Sequence, residues 1–439
     1  MHIRHVAIEN IRRFGSGSAG VDLSLPTSGW IVVAGRNGSG KTTFLKVLAL
    51  ALSPVFSHDY ADTIFSWPRQ GAKTARSRVT LVPSPEERFA DGADLVVGDD
   101  WEPRHGAMSH GRGECDTERA FAGPWSSDPK GWFAAGYGAY RRPLGQSQLV
   151  ERWSPATTRE GAFLTLFRDD AALLHPIRWL MDLHHRSLDP DAPATEKKQA
   201  RSIVRNVVSL LNDGLLGDTE VLGVDSYGLS VLQDGQKLSV LHLGAGAQVT
   251  TAVVVDLVRL MYARFGTVSF GKAQSRPVVQ HDGVVLIDEV DAHLHVSWQQ
   301  KIGPWLKEHF PRIQFIVTTH SPFICQSAEE DGLILLPAPG SSESPRIADR
   351  DLHRRVVNGS VDDALLSDLF GLEHTWSAGA DEKRARLAAV EVKVLAGSAT
   401  PAQQEEYRHL LSEIPQTMSE EVERTAARLA STRSRGRRR

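Results

Sequence analysis

Cysteine is scarce in this sequence, since its 439 residues include only Cys115 and Cys325. Two cysteines are too few for a disulfide framework, and such usage is typical of proteins kept in a reducing compartment. Long apolar runs are missing as well: no stretch of about eighteen apolar residues occurs, and the opening MHIRHVAIENIRRF lacks an apolar signal core. We therefore expect a soluble, cytoplasmic protein without a membrane partner.

An excess of charge is missing too, because 50 lysines and arginines oppose 53 aspartates and glutamates, for a formal net charge of -3. This balance gives no global attraction to nucleic acid, so any DNA contact must come from a local patch. An apolar content of 41% in a chain of this length excludes a mainly disordered protein. It favours one large domain with an inserted lobe.

Three continuous apolar runs predict strands that are buried on both faces, as in a parallel sheet: residues 30–34, GVVLIDE and IQFIVTTH. The first run leads into a glycine-rich loop and then into TTFLKVLALALS, which has helical spacing. The other two runs flank the predicted helix SWQQKIGPWLKEHF. This alternation of strands and helices predicts an α/β fold.

The composition of the remaining segments differs from one to the next, which predicts how the chain is divided into lobes and domains. Residues 54–135 are rich in Gly, Pro and Asp with short β-like pieces, which predicts an inserted, antiparallel, loop-rich β lobe. Residues 155–218 show apolar spacings of three and four, which predicts a helical lobe. We place the main domain at 1–336, and a C-terminal helical region with the basic tail STRSRGRRR at 337–439.

The string GRNGSGKTT matches the phosphate-binding pattern G-x-x-x-x-G-K-[ST]. Glycines allow backbone N–H groups to converge on phosphate oxygens, while Lys41 reaches the β and γ phosphates and Thr42 ligates Mg²⁺. A chance glycine turn is the alternative, but the buried strand before it and the helix after it are the context the motif requires. The predicted nucleotide contacts are Gly35, Asn37, Gly38, Ser39, Gly40, Lys41, Thr42 and Thr43.

The run GVVLIDE brings Asp288 and Glu289 to the carboxyl end of a predicted parallel strand, the edge where such sheets bind ligands. We expect Asp288 to hold Mg²⁺, directly or through water, and Glu289 to orient and deprotonate the attacking water. Two carboxylates after a strand can also cap a helix without any chemistry. The phosphate-binding loop elsewhere in the chain favours the catalytic interpretation.

The run IQFIVTTH ends at His320, which follows a third predicted buried strand. A lone histidine is more often structural than functional. Its position at the end of a strand beside LIDE favours a role in which it donates to the γ-phosphate or to the attacking water. The site would then distinguish ATP from ADP.

The order of phosphate-binding loop, glycine turn at 241–248, LIDE with DAHLH, and TTH is similar to that of ABC-type ATPases over most of residues 1–336. More narrowly, IENIRRFGS and GRNGSGKTT resemble the soluble branch that includes RecF, the SMC-like proteins and the overcoming-lysogenisation ATPases. This resemblance implies a P-loop fold with a mixed central sheet, an antiparallel β lobe and an inserted helical lobe. It also implies ATP and Mg²⁺ as ligands.

In these ATPases a signature loop of the type L-S-x-G-x-Q reaches the γ-phosphate bound by the other subunit of a dimer. LGAGAQ matches this pattern at Leu243, Gly246 and Gln248, but Gly244 stands where the serine should be. The resemblance thus implies a homodimer that encloses ATP with one hydrogen bond fewer. Such a bond to a charged phosphate is worth about 1.5–3 kcal/mol. The alternative is that GAG only turns the chain.

Asp291 in EVDAHLH matches the D-loop aspartate of the family, which communicates between the two sites. The histidines of HLH leave a metal site as the alternative. The Q-loop glutamine of the family is not clear, although Gln146 and Gln148 lie near the expected place. Arg12 and Arg13 match basic residues that approach nucleotide or DNA in relatives, with ordinary surface charge as the alternative.

Many overcoming-lysogenisation relatives carry a Toprim nuclease after the ATPase, with a strand-borne glutamate and a later D-x-D. Neither feature follows His320, so we expect no intrinsic nuclease. LLSDLFGLE and the charged helices after it resemble the C-terminal region of ATPases from anti-phage systems such as Septu and certain retrons, which work with a separate HNH nuclease. Simple packing of amphipathic helices is the alternative.

The sequence therefore predicts an ATP-hydrolysing ABC-type ATPase that dimerises on ATP and gates a partner nuclease or a DNA-linked task, in anti-phage defence. Two alternatives remain. One is a RecF-like repair or replication ATPase that binds DNA directly. The other is an interaction module whose nucleotide acts as a switch with negligible hydrolysis.

Overall fold

The computed structural model divides into two compact units, Met1–Gly371 and Leu372–Arg439. The first unit runs past residue 336, where the sequence pattern places the end of the main domain. The residues that the structure describes are 1–53, 64, 66–84, 87, 93–104, 107–113, 115–123, 125, 132–141, 161–169, 171, 173, 176–341 and 343–414.

The centre of the first unit is a mixed sheet with the strand order β16-β15-β3-β14-β13-β7. All neighbours are parallel except the hairpin of β15 and β16. The residues of β13 and β14 are buried throughout, as their continuous apolar runs predict for a sheet covered on both faces. The strands are β3 (Gly29–Ala34), β7 (Phe133–Tyr137), β13 (Gly283–Ile287), β14 (Ile313–Thr319), β15 (Leu333–Leu335) and β16 (Arg346–Ile347).

A second, antiparallel sheet has the order β2-β1-β4-β5-β6. In β1 the apolar residues Ile3, Val6 and Ile8 are buried, as expected for a strand with one face on a core. The segment 54–135 contributes strands to this lobe, but its last residues belong to β7 of the central sheet. The members are β1 (His2–Glu9), β2 (Val21–Ser24), β4 (Ala75–Val82), β5 (Leu95–Arg104) and β6 (Ala107–Arg112), with helix α2 (Thr117–Ala122).

The segment 155–218 folds mainly as two amphipathic helices that precede a small sheet of order β10-β9-β8. The turn between β9 and β10 contains only Asp234 and Gly235, with φ of 49° and 75°, as in a two-residue β-hairpin. The elements are α3 (Leu164–Phe167), α4 (Pro176–Leu188), α5 (Ala194–Leu211), β8 (Glu220–Asp225), β9 (Gly228–Gln233) and β10 (Gln236–Ser239).

The other helices cover the central sheet or form the second unit, whose two helices pack through Leu387, Leu410 and Ile414. Within the described ranges, no helix combines the length and apolarity that crossing a bilayer requires. These helices are α1 (Lys41–Leu52), α6 (Ala245–Phe265), α7 (Val296–His309), α8 (Pro322–Cys325), α9 (Arg350–Asn358), α10 (Val361–Leu365), α11 (Ala378–Leu395) and α12 (Pro401–Glu413). A short antiparallel pair, β11 (Phe270–Ala273) and β12 (Arg276–Val279), and single 3-10 turns at Gly17–Ala19, Gly161–Phe163 and Val240–His242 complete the described elements.

Candidate nucleotide-binding site

The loop between β3 and α1 has the backbone that the glycine pattern requires. Gly40 has φ of 98°, in the left-handed region, and a Cβ there would lie 2.8 Å from Phe14 Cζ. A Cβ at Gly35 would lie 2.6 Å from the Leu336 carbonyl oxygen. Because Gly40 caps α1 without a side chain, the first amides of this helix are left for an anion.

The side chain of Lys41 donates hydrogen bonds back to the start of this loop. Its Nζ donates to the carbonyl oxygens of Gly35 at 2.8 Å and Arg36 at 3.2 Å. Burial lowers the pKa of Lys41, and the nearby carboxylates of Asp288 and Glu289 raise it in part. An ammonium held by two loop carbonyls beside uncapped helix amides suits the phosphates of a nucleotide.

The other predicted loop contacts divide by exposure. Asn37 and Gly38 are exposed, whereas Ser39 and Thr43 are buried. The Ser39 hydroxyl has no hydrogen-bond partner within the described part of the chain. A contact to a phosphate from Thr43 would therefore come from its backbone amide, whereas the Ser39 amide donates to the Arg36 carbonyl at 3.1 Å.

Asp288 lies at the end of β13 between two hydroxyl groups. Thr42 Oγ1 donates to its Oδ2 at 2.8 Å, and Thr318 Oγ1 donates to its Oδ1 at 2.5 Å. A carboxylate and a hydroxyl in contact are oxygen ligands of the kind that Mg²⁺ prefers. The residues present thus fit the predicted Mg²⁺ site at Thr42 and Asp288.

Thr318 is a site residue that the sequence reasoning missed. Besides contacting Asp288, its hydroxyl accepts a hydrogen bond of 2.8 Å from the Glu289 backbone amide. Its side chain is fully buried. The only signal in the sequence is the pair of threonines in IVTTH, polar residues inside a strand that is otherwise apolar.

Glu289, which follows strand β13 and Asp288, has an unusual backbone conformation. Its φ of 45° is left-handed, a conformation that costs a non-glycine residue on the order of 1–3 kcal/mol. Its carboxylate makes no hydrogen bond with any residue that the structure describes. A half-buried carboxylate without such a partner is suited to accept a proton from water.

His320 follows β14 and is half-buried. Burial lowers its pKa, and the nearby positive charge of Lys41 lowers it further. Both effects favour the neutral form of the ring. Lys41 and His320 each interact electrostatically with Asp288, Glu289 and Asp291, so the structure brings the four predicted residues Lys41, Asp288, Glu289 and His320 together.

Asp291 is tied to the same strand end. Its carboxylate accepts a hydrogen bond from the Thr319 hydroxyl, which also accepts one from the Ser321 amide at 2.9 Å. In HLH, the segment with a metal site as its alternative interpretation, His295 caps helix α7 through Ser297, and the described residues contain no group of three or more His, Cys, Asp or Glu that could hold a metal ion.

The predicted signature turn forms the start of helix α6. Gly244 is its exposed N-cap, and Gly246 and Gln248 lie within its first turn. A Cβ on Gly246 would lie 2.5 Å from the His293 carbonyl oxygen, so this turn packs against the loop after Asp291. The Gln248 amide group donates to the carbonyls of Leu241 at 2.9 Å and Leu243 at 2.7 Å, and thus holds the turn.

The basic residues near the N-terminus contact protein groups. Arg13 donates to the Pro337 carbonyl at 2.8 Å and to the Ala338 carbonyl, and Arg12 lies over the Trp67 ring at 5.3 Å. Gln146 and Gln148, the two glutamines near the expected Q-loop, lie outside the described residues.

Two protein families match the chain. Residues 154–326 match the family described as "AAA domain, putative AbiEii toxin, Type IV TA system". Residues 5–82 match a family described as "AAA domain". The two matched segments include parts of both lobes and the strand that precedes the P-loop.

Similar proteins include a retron protein and a Septu protein. Over 142 residues the chain is 34% identical to the retron Ec83 probable ATPase of Escherichia coli. This aligned segment covers 32% of this chain and 23% of that protein. It is 24% identical over 363 residues to the Septu protein PtuA of Bacillus mycoides, covering 81% of this chain and 43% of that protein. The chain thus spans less than half the length of these relatives.

Solved structures of SMC head domains are also similar. An SMC head bound to the C-terminal winged-helix domain of ScpA has a TM-score of 0.48 at 14% identity, over 80% of this chain and 99% of that one. The SMC head of Thermotoga maritima has a TM-score of 0.43 at 15% identity, over 80% and 100%.

The chain has an α/β fold with a P-loop, and both of the family models that match parts of it are described as AAA domains. Among named proteins, it is similar to retron probable ATPases and to the Septu protein PtuA.

Proposed function

We propose that this protein binds ATP with Mg²⁺ and hydrolyses the γ-phosphate. The observation that carries the proposal is the meeting of three parallel strand ends, which bring the P-loop, Asp288 with Glu289, and His320 to one edge of the sheet. No single one of these residues would define a reaction. Their combination supplies an anion site, a cation site and a base.

Each residue has a distinct part in the proposed reaction. The P-loop amides and Lys41 hold the β and γ phosphates, and Thr42 and Asp288 hold Mg²⁺, which offsets charge on the phosphates when bound. The carboxylate of Glu289 orients the water and accepts its proton. His320 donates a hydrogen bond from its ring N–H to the γ-phosphate or to the water.

We further propose that ATP closes a homodimer in which Gly244, Gly246 and Gln248 of one copy face the nucleotide of the other. The exposure of Gly244 and the direction of the α6 dipole support this proposal, since a helix N-terminus attracts an anion. Asp291 lies in the loop that packs against this turn, so nucleotide contacts at one site would reach the other.

The named relatives support a role in anti-phage defence, in which nucleotide-dependent closure gates a separate HNH-type nuclease or a DNA-linked task. We propose that the chain itself supplies the ATPase and no nuclease. DNA is the other proposed partner. A lone dimer with salt-sensitive, ATP-strengthened DNA binding would instead indicate the RecF-like repair function.

The test is phosphate release from the purified chain, with and without DNA, for wild type and for Lys41→Ala and Glu289→Gln. Lys41→Ala should lose nucleotide binding. Glu289→Gln should retain ATP and accumulate as a dimer in light scattering, because ATP binds but water is not activated. Glu308→Gln, which changes an exposed carboxylate paired with Arg276, is the control. Normal turnover by Glu289→Gln would remove Glu289 from the base role.

A second candidate function is a nucleotide switch with negligible hydrolysis, favoured by Gly244 in place of the signature serine. In that case wild type would bind ATP and dimerise, but phosphate release would not exceed that of Glu289→Gln. The same assay thus separates the two functions.

A further inference from the structure

Arg141 is a buried cation that donates to backbone carbonyls of the loop after β13. Its side chain lies past the end of β7, and the residue is 4% exposed. Nη1 donates to the carbonyl of Gly138 at 3.0 Å and of Asp288 at 2.6 Å. Nη2 donates to the carbonyl of Glu289 at 2.9 Å and of Val290 at 3.2 Å.

Such a position is uncommon, because arginine is rarely buried, and Arg141 forms no salt bridge with any of the residues that the structure describes. The surroundings are apolar: Arg141 borders a cavity of about 30 Å³ lined by side chains of α6, α7 and β13, among them Val253, Ile287 and Leu306. Burial lowers the pKa of Arg141 to about 10, against the opposing effect of Asp288, Asp291 and Glu289. The guanidinium therefore stays charged at neutral pH, in a setting where its hydrogen bonds are strong.

Hydrogen bonds hold the backbone of Glu289 at both its carbonyl and its amide group. Arg141 binds the carbonyls of three consecutive residues, Asp288, Glu289 and Val290, while the Thr318 hydroxyl binds the Glu289 amide. Three successive carbonyls can face one cation only if the chain turns sharply. The left-handed φ of 45° at Glu289 is that turn.

We propose that Arg141 is the positioning residue for Glu289. It holds this loop in the strained conformation that turns the Glu289 carboxylate away from the strand, and its charge offsets part of the repulsion among Asp288, Glu289 and Asp291. The proposal rests on the proposed ATP hydrolysis and extends it. Arg141 acts through Glu289 and does not itself contact the nucleotide.

The variants for the test are Arg141→Lys and Arg141→Ala, with Arg112→Ala as a matched control. Arg112 is also a largely buried arginine that donates to backbone carbonyls, those of Leu50 and Ser53, but it belongs to the antiparallel lobe. Lysine keeps the charge but cannot span the carbonyls that the planar guanidinium reaches. The measurements are kcat, the Kd for ATP, and the thermal midpoint.

We expect Arg141→Ala to lower kcat about 100-fold, the cost of a misplaced catalytic group, while the Kd for ATP changes only a few-fold. Arg141→Lys should recover part of kcat. Arg112→Ala should lower the thermal midpoint comparably and leave kcat near the wild-type value. If Arg141→Ala does not fold, Arg141→Lys alone tests the positioning role. The kcat of this variant should still fall, while its Kd for ATP stays unchanged.

A double-mutant cycle separates positioning from a general structural effect. If Arg141 acts through Glu289, Arg141→Lys should cause no further loss of single-turnover rate in a Glu289→Gln background. An additive loss, or wild-type kcat in Arg141→Lys and Arg141→Ala, would overturn this role and leave ATP hydrolysis intact. Absence of phosphate release from wild type would instead overturn the proposed function, and this role with it.

Discussion

Thr42, at the start of helix α1, and Asp288, at the end of strand β13, are joined by a hydrogen bond of 2.8 Å although 246 residues separate them in sequence. The contact joins the P-loop after β3 to the acidic loop after β13, and strand β14 lies between these two strands in the sheet. Between these two residues the chain forms strands β4 to β6 of the antiparallel lobe, the helical lobe and the long helix α6. The site therefore depends on the central sheet, whose register brings distant strand ends to the same edge.

Thr318→Val should weaken the site without changing its shape, because valine has nearly the volume of threonine but no hydroxyl. The change leaves a buried Asp288 oxygen and the Glu289 amide without this partner, which costs about 1–3 kcal/mol for each buried group left unpaired. Urea unfolding should show the loss, and a Mg²⁺ titration of ATP binding should shift to higher concentration. Thr195→Val, at an exposed position in α5, is the control; equal midpoints for the two variants would contradict the assignment.

Lys41→Met should not destabilise the nucleotide-free protein. Burial lowers the pKa of Lys41, which means that its charged form is less favourable in the folded chain than in the unfolded chain. Methionine removes this cost and keeps the apolar stem. We expect a thermal midpoint at or above that of wild type, together with loss of the stabilisation by ATP and Mg²⁺, which is about 2.7 kcal/mol at 100 times Kd. A lowered midpoint without ATP would show that the two carbonyl contacts of Lys41 stabilise the loop.

His320→Gln should reduce the acid sensitivity of the protein. Because burial and Lys41 lower the pKa of His320 below 6.5, the unfolded chain binds this proton more tightly than the folded chain. The free energy of unfolding therefore decreases as the pH falls through 6.5 towards the lowered pKa, and it increases again as the pH rises. The thermal midpoint of wild type should drop more between pH 7.5 and 5.5 than that of His320→Gln. His185→Gln, in an exposed position of α4, should behave like wild type.

Gly244→Ser should strengthen the proposed dimer. The backbone at Gly244 has φ of -59°, and a Cβ there meets no described atom within 4 Å, so serine fits without strain. If the hydroxyl reaches a phosphate of a second copy, a gain of about 1.4 kcal/mol would tighten ATP-dependent dimerisation tenfold. Analytical ultracentrifugation with Glu289→Gln as background measures this. Gly379→Ser, also open but in the second unit, is the control, and equal dimer constants would argue against the contact.

The local sequence identified the central strands, because a continuous apolar run can be recognised without knowing which strand it pairs with. Residues 30–34 and the runs before Asp288 and His320 are strands buried on both faces, as predicted. The spacing of glycines and Lys41 likewise specifies a loop between a strand and a helix, since its special φ values depend on adjacent residues. The roles of the individual site residues remain predictions for the assays above.

The tertiary structure alone decided how the polar groups are paired. Thr318 holds Asp288 and Glu289, Arg141 binds three consecutive carbonyls, and Gln248 folds back onto its own turn. None of these contacts leaves a periodic signal, because a buried donor is satisfied by whichever acceptor the packing brings within about 3 Å. The apolar pattern fixed which strands form, whereas the hydrogen bonds of the site were set by the order and register in which those strands pack.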